Sequence, residues 1–166
     1  MSAMSATPLR VSLRLKPAVA AAVDRAAAEV GLAPTVFMQK AIETAVRHEL
    51  PAAERERSER EQRVLRRAQE MAVEVYRAQG FDAHFTLRVI RALMRDAAFR
   101  DLYESVIEAD AYDDKAPLKT PLNMYLGWTI KNAVPATPLL DDKGAPKRAV
   151  VKGEPIKSYT LLAHKP

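Results

Sequence analysis

The chain has 166 residues, with 26 Lys and Arg against 21 Asp and Glu and a formal net charge of +5. It contains no cysteine, which excludes disulfides, thiolate zinc sites, iron–sulfur clusters and a cysteine nucleophile. Hydrophobic residues make up 48% of the sequence, which is typical of a folded protein. No apolar stretch approaches the roughly 20 residues of a membrane span, and no secretory signal pattern opens the sequence. We therefore expect a cytoplasmic protein with no membrane partner.

The positive charge is concentrated at the two ends of the chain. Residues 1–50 carry six basic and four acidic side chains (+2), and residues 111–166 carry nine and five (+4). Residues 51–110 carry eleven and twelve (−1). Basic ends are compatible with nucleic-acid contact. The five scattered glycines form no phosphate-binding loop, and no G-x-S-x-G or Walker motif occurs. We expect no enzymatic activity, no cofactor and no metal site.

The N-terminal segment predicts a short flexible arm over residues 1–8 and then one β-strand. Apolar and polar side chains alternate with the period of two that indicates a strand with one buried face. The apolar positions are Leu9, Val11, Leu13 and Leu15, and the polar ones are Arg10, Ser12 and Arg14. Pro17 ends this pattern and suits the first turn of a helix.

Two helices are predicted after the strand, one from Pro17 and one from Pro34 to about Leu50. Gly31 fits the C′ position after the first helix, where a left-handed backbone is easiest for glycine. About 42 residues with a single strand cannot build a core of their own. The economical solution is a twofold dimer in which two strands pair antiparallel and the helices interlock.

The segment LRVSLRLKPAVAAAVDRAAAEVGLAPTVFMQKAIETAV resembles the ribbon-helix-helix DNA-binding proteins, which include small bacterial repressors, plasmid copy-control proteins and antitoxins. The resemblance covers about residues 8–50 and rests on the alternating strand, the Gly-Leu turn and the two helices. It implies an intertwined homodimer over residues 9–50 that reads double-stranded DNA with a two-stranded ribbon. One departure is Ala33, where the family often has Ser or Thr, so a helix cap worth about 1 kcal/mol is missing.

The resemblance also implies which side chains would contact DNA. The polar face of the ribbon would read base edges in the major groove through Arg10, Ser12 and Arg14. Phosphates would be bound by Lys16, by the N–H groups of Thr35 and Val36 at the start of the second helix, and by Lys40. The alternative is that the three ribbon residues only solvate an exposed sheet face.

Residues 51–82 predict a charged connecting helix that Gly80 stops. The run ERERSEREQR places opposite charges four residues apart, which stabilises a helix. An apolar stripe follows it. Arg63, Arg66 and Arg67 could clamp a DNA backbone, although a solvated, self-associating linker helix is the simpler interpretation.

Residues 83–166 predict a helical domain that ends in a β-hairpin. Asp96 divides the first helical stretch into two, and Thr120 is the predicted N-cap of a third helix. Strands are predicted at residues 148–151 and 156–162. This order is similar to a winged helix over about residues 83–163, which implies a second candidate DNA contact. Its residues would be Asn123, Lys131, Lys143, Lys147 and Arg148. We expect Trp128 in the domain core.

These patterns predict a mainly α-helical, homodimeric, sequence-specific DNA-binding protein. The simplest role is a transcriptional repressor that regulates its own gene or belongs to a mobile element. Three alternatives stay open. The chain could be an antitoxin whose residues 51–166 bind a co-encoded partner, or a plasmid partition or conjugation accessory protein. It could also be a protein-interaction module that its N-terminal domain dimerises.

Overall fold

The computed structural model describes residues 10–30 and 32–165. These residues form six α-helices followed by four short β-strands. The helices are α1 (Pro17–Val30), α2 (Pro34–Ala45), α3 (Ala52–Gln79), α4 (Phe85–Arg95), α5 (Ala97–Ile107) and α6 (Lys119–Asn132). The strands are β1 (Ala136–Pro138), β2 (Arg148–Val150), β3 (Ser158–Thr160) and β4 (Leu162–His164). The chain divides into a first unit, Met1–Ala41, and a second unit, Ile42–Pro166. The predicted helical class with a C-terminal hairpin region is confirmed.

The ends of α1 and α2 follow from their sequences. Leu32 N donates to Ala27 O at 2.8 Å, the six-to-one bond of a Schellman cap. Gly31, the predicted C′ residue, lies outside the described residues. Helix α2 ends at Ala45 rather than near Leu50, and a 3₁₀ turn follows at Arg47–Glu49. Pro51 explains why the 3₁₀ turn goes no farther, because a proline forces the preceding residue into extended backbone, here Leu50 at ψ 147°.

Residues 10–16 form no strand in the single chain. Leu9, the first residue of the predicted strand, lies outside the described residues. A strand needs a neighbour to bind its backbone N–H and C=O groups, and within residues 10–30 and 32–41 no other extended segment forms one. The alternating apolar side chains are consequently uncovered, with exposed fractions of 64% for Val11, 57% for Leu13 and 39% for Leu15. The ribbon remains a prediction about two copies of the chain.

Helix α3 is the central helix of the second unit. Its predicted apolar stripe is buried at Val64, Ala68, Ala72 and Val75, and it packs against α4, α5 and α6. The charged turns that precede this stripe stay largely exposed. The sequence predicts a connecting helix here because the helices that cover the stripe lie farther along the chain. Gly80, at φ 69°, ends α3 as predicted.

The remaining helices differ in how they begin. Asp96 caps α5 as predicted, because its Oδ1 accepts hydrogen bonds from Ala98 N at 3.1 Å and Phe99 N at 3.3 Å. The prediction that Thr120 caps α6 is wrong. That helix begins at Lys119, since Leu122 N already donates to Leu118 O and closes a turn before Thr120 could cap it.

Lys119 is buried at the start of α6, and the preceding loop binds its charge. Its Nζ donates to Asp113 O at 3.1 Å and lies 3.6 Å from the Asp114 carboxylate. A buried ammonium is tolerated only when it is paired and hydrogen-bonded. Lys157 reaches the same loop, donating to Asp114 O at 3.3 Å, so one loop holds both α6 and the C-terminal segment.

The C-terminal strands form three two-stranded arms that meet at one point, which we call the three-arm junction. Strand β1 pairs with β4 and β2 pairs with β3, both antiparallel. A bridge between Leu140 and Pro146 makes the third arm. The pairing of β2 with β3 matches the predicted hairpin. The pairing of β1 with β4 was not predicted, because the prolines at positions 135 and 138 argue against a strand there.

A ring of three backbone hydrogen bonds closes the centre of the junction. Leu139 N donates to Leu161 O at 2.8 Å, Leu161 N to Lys147 O at 2.9 Å, and Lys147 N to Leu139 O at 2.7 Å. Two histidines link the arms to the helices of the second unit. His84 Nδ1 lies 2.6 Å from the Tyr159 hydroxyl, and His164 Nε2 lies 3.0 Å from the Tyr76 hydroxyl.

We expect Asp96→Ala to lower the free energy of unfolding by about 1 kcal/mol, because two N–H groups of α5 lose their acceptor. Chemical denaturation followed by circular dichroism measures the change. Asp96→Asn is the control, since an asparagine oxygen can accept the same bonds. It removes only the charge that lies 3.8 Å from Arg67 Nε, and a partly exposed ion pair contributes little. Equal destabilisation by both variants would contradict the capping role.

Candidate nucleic-acid interface

The predicted base-reading residues lie in the segment that precedes α1. Arg10, Ser12 and Arg14 are all exposed. Alternate residues of a β-strand point to the same side, so in the predicted ribbon these three would share one face and the apolar residues the other. Lys16 is also exposed, and its carbonyl accepts from Val19 N at 2.9 Å, which fixes it at the entry to α1. The segment therefore presents three cations beside the beginning of a helix.

The predicted phosphate site at the start of α2 has the backbone geometry of a helix N-terminus. Phe37 N donates to Ala33 O at 3.0 Å, so the N–H groups of Thr35 and Val36 belong to the first turn. An α-helix provides no internal acceptor for those donors, and they favour an anion. Thr35 is exposed and Val36 is half-buried. Lys40 is half-buried one turn farther along and is less accessible to a phosphate than Lys16.

The apolar faces of α1 and α2 are poorly covered in the single chain. Ala27 is the only buried residue among the described side chains of α1, and α2 contains none. Val19 in α1 is exposed, as are Ile42 and Val46 at the end of α2. Fully burying a valine or leucine side chain contributes roughly 1.5–3 kcal/mol. A partner that covered these faces would therefore gain substantial hydrophobic stabilisation.

Asn123, a candidate for the second DNA contact, has a structural role in this fold. Its Oδ1 accepts a hydrogen bond from the Tyr103 hydroxyl at 2.8 Å, and its Nδ2 donates to Pro155 O at 3.0 Å. Burial raises the pKa of Tyr103, although the bond to Asn123 opposes the shift. A DNA contact by Asn123 would have to break both bonds. The tie joins α5, α6 and the turn before β3, and no sequence motif indicated it.

The outer face of α6 is mostly apolar or half-buried. The predicted stripe of Leu122, Leu126 and Ile130 faces the core. Trp128 lies outside that core, half-buried, with its ring edge-on to Tyr125 at a centroid distance of 5.7 Å. Lys131 is half-buried, and desolvation lowers the pKa of its ammonium group. This helix does not present a row of exposed polar side chains such as base reading requires.

The predicted site cations beyond α6 are exposed. Lys143, Lys147 and Arg148 lie in a run of exposed residues from Leu140 to Arg148. Arg148 Nη2 donates to Ser158 Oγ at 2.7 Å across the β2–β3 pair. Asp141 Oδ1 accepts from Lys143 N and Ala145 N, both at 2.9 Å, and these bonds lower the pKa of the Asp141 carboxyl.

The arginines predicted as a possible clamp on α3 are divided between two environments. Arg63 and Arg66 are exposed. Arg67 donates to Glu74 at 2.8 Å and lies within 4 Å of Glu70 and Asp96. The hydrogen bond to Glu74 is the main reason why the pKa of Arg67 is raised. The positive charge of Arg67 is thus largely paired with carboxylates of the protein.

We expect Asn123→Ala to lower the free energy of unfolding by about 1–3 kcal/mol, because a buried hydroxyl and a carbonyl lose their partner. Thermal or denaturant unfolding measures this cost. Adding Tyr103→Phe to Asn123→Ala removes the orphaned hydroxyl and should restore part of the stability. The tie would be refuted if the two substitutions were simply additive in a double-mutant cycle.

Comparison with protein-family models, with curated protein sequences and with solved structures finds no match to this chain. Across residues 10–30 and 32–165, none of the helices combines the length and the apolar character needed to cross a bilayer.

Proposed function

We propose that the chain is a homodimeric, sequence-specific DNA-binding protein whose first unit pairs with a second copy as a ribbon-helix-helix. The observation that supports this most directly is the exposure of the alternating apolar side chains before α1. Val11, Leu13 and Leu15 are 64%, 57% and 39% exposed in the single chain. Helices α1 and α2, whose apolar faces are incompletely buried, come next in the chain. A second copy provides both things that are missing, a strand partner and an apolar cover.

Antiparallel pairing of the two extended segments gives a two-stranded ribbon with a polar and an apolar face. Arg10, Ser12 and Arg14 from each copy then lie on the face opposite the helices. A two-stranded ribbon fits the major groove, where arginine can bind guanine O6 and N7 through two hydrogen bonds. Base reading is therefore assigned to these residues. Lys16 and the first turn of α2 supply phosphate contacts that orient the dimer on the duplex.

A cytoplasmic transcriptional repressor, without enzymatic activity or cofactor, is the role this arrangement fits best. An antitoxin would use the chain beyond residue 50 to bind a co-encoded protein. The second unit is instead folded around its own core, with α3 buried by α4, α5 and α6. Footprinting on the DNA upstream of the chain's own gene tests autoregulation directly. Protection at a distant structural locus alone would favour the partition or conjugation role.

We expect Arg10→Ala with Arg14→Ala to weaken binding to the preferred site by roughly 1–3 kcal/mol for each lost two-bond contact. The site would first be selected from a random DNA pool, and affinity measured by fluorescence anisotropy. Arg25→Ala with Arg55→Ala removes the same charge from two exposed helix positions and is the matched control. If both double variants bind the selected site equally well, the ribbon is not the reading element.

We expect Leu13→Arg to abolish the dimer, because it puts a charge on the apolar face of each strand at the centre of the assembly. Ser12→Arg adds the same charge one residue away, on the polar face, and should leave the dimer intact. Sedimentation equilibrium of the full chain measures both variants. A parent protein that stays monomeric at every concentration tested would refute the proposed dimer.

A further inference from the structure

A second cationic surface lies at the other end of the chain, on the third arm of the three-arm junction. Every residue from Leu140 to Arg148 is exposed, a run that includes the bridge between Leu140 and Pro146. We call residues 140–148 the projecting arm. Lys143 lies in its turn, Lys147 at its base, and Arg148 beside Lys147 as the first residue of β2. Three exposed cations thus lie on or directly beside a short ribbon.

The base of the projecting arm is fixed rather than loose. The backbone N–H and C=O of Lys147 both belong to the central ring, bound to Leu139 O at 2.7 Å and Leu161 N at 2.9 Å. Arg148 is held across the strand pair by Ser158. Lys147 lies at the base of the arm and Arg148 is the first residue of β2, so the cations stand at the turn and at the base of the arm. Exposed cations at both ends of a short ribbon suit the phosphates that flank a groove.

The arm carries two acidic residues, Asp141 and Asp142, against its three cations, which leaves it a net charge of +1. Asp141 is turned onto the backbone of its own turn, where Lys143 N and Ala145 N both donate to one carboxylate oxygen. That carboxylate shapes the turn that presents Lys143. In the loop between β2 and β3, Glu154 is paired with Arg91 at 2.6 Å. Asp142 is exposed like Asp141, so the arm keeps an excess of one positive charge.

Helix α6, the element before the arm, does not add base reading. Asn123 is bound to Tyr103 and Pro155, and Lys131 is half-buried. A contact made by the arm alone therefore consists of lysine and arginine side chains without a set of base-reading neighbours. Where these side chains contact phosphates, they carry no sequence information.

We propose that the projecting arm is a second DNA-binding surface, which grips the phosphates of the duplex independently of sequence while the ribbon reads the bases. This inference rests on the proposed DNA-binding function. It assigns the two ends of the chain different tasks, with specificity at the N-terminal segment and added, salt-sensitive affinity at the arm. Because the protein is proposed to be a dimer, each bound site would receive two arms.

The test compares variants of the full chain on its selected DNA site and on random duplex over a range of salt concentrations. The arm variant is Lys143→Gln, Lys147→Gln and Arg148→Gln. The control removes the same charge from exposed positions elsewhere in the second unit, through Arg95→Gln, Arg100→Gln and Lys115→Gln. We expect the arm variant to lower the slope of log affinity against log salt by about 0.9 for each lost phosphate contact. The control should leave it within error of the parent.

The ratio of affinities for the selected site and random duplex separates the two surfaces. The arm variant should weaken both equally and leave this ratio unchanged, whereas Arg10→Ala with Arg14→Ala should reduce it. An unchanged salt slope in the arm variant, or an equal fall in the control, would overturn the inference while leaving the ribbon intact. If the parent binds neither DNA, the proposed function itself fails, and both conclusions fall together.

Discussion

A strand's backbone must bind to another strand, and this requirement shapes both ends of the molecule. At the N-terminus, residues 10–16 have no strand neighbour among the described residues of the first unit, and the proposed dimer would supply one from a second copy. At the C-terminus three short segments meet it among themselves. Residues 139, 147 and 161 each donate one backbone hydrogen bond and accept one, which closes a ring without a fourth strand. The same constraint favours association with a second chain at the N-terminus and strand pairing within the chain at the C-terminus.

The second unit is held together by polar ties as well as by its apolar core. Asn123 links a buried tyrosine to a backbone carbonyl, Lys119 is bound by the loop before α6, and two histidines meet tyrosine hydroxyls at the junction. The asparagine and histidine ties join segments that are far apart in sequence, whereas the Lys119 tie is local. A buried polar group without its partner costs about 1–3 kcal/mol, so such ties disfavour alternative packings more strongly than apolar contacts do. They place the arms firmly against the helices.

Local signals in the sequence were sufficient where one residue decides the outcome. Gly80 ends α3 because a left-handed backbone suits glycine, and Asp96 caps α5 because its carboxylate reaches two free N–H groups. The apolar stripe from Val64 to Val75 was predicted on a solvated, self-associating linker helix, and its burial by helices farther along the chain was not predicted. Pairing of β1 with β4 joins segments about 25 residues apart, and prolines at 135 and 138 obscured it. The role of Asn123 depends on Tyr103 and Pro155, which are distant in sequence, and no spacing rule connects them.

In the candidate site, the sequence pattern implied that Arg10, Ser12, Arg14 and the three arm cations are exposed, and the structure agrees. The pattern could not separate them from Asn123 and Lys131, because a polar residue on a helix looks the same in sequence whether it faces solvent or a buried partner. Burial and hydrogen bonding make that distinction. Among the residues predicted to bind DNA through the ribbon and the C-terminal domain, the exposed cations lie on two segments, one before the first helix and one after the last.

The ring at the centre of the three-arm junction also determines how this region can change length. Because the ring fixes the register at three residues, each loop beyond it is an independent branch. Residues could be added to the loop between Leu140 and Pro146, or to the one between β2 and β3, without shifting the pairing of β1 with β4. An insertion in a long meander would instead shift the register of every later strand. The junction therefore lets loops diversify in size and composition while the framework beneath them stays constant.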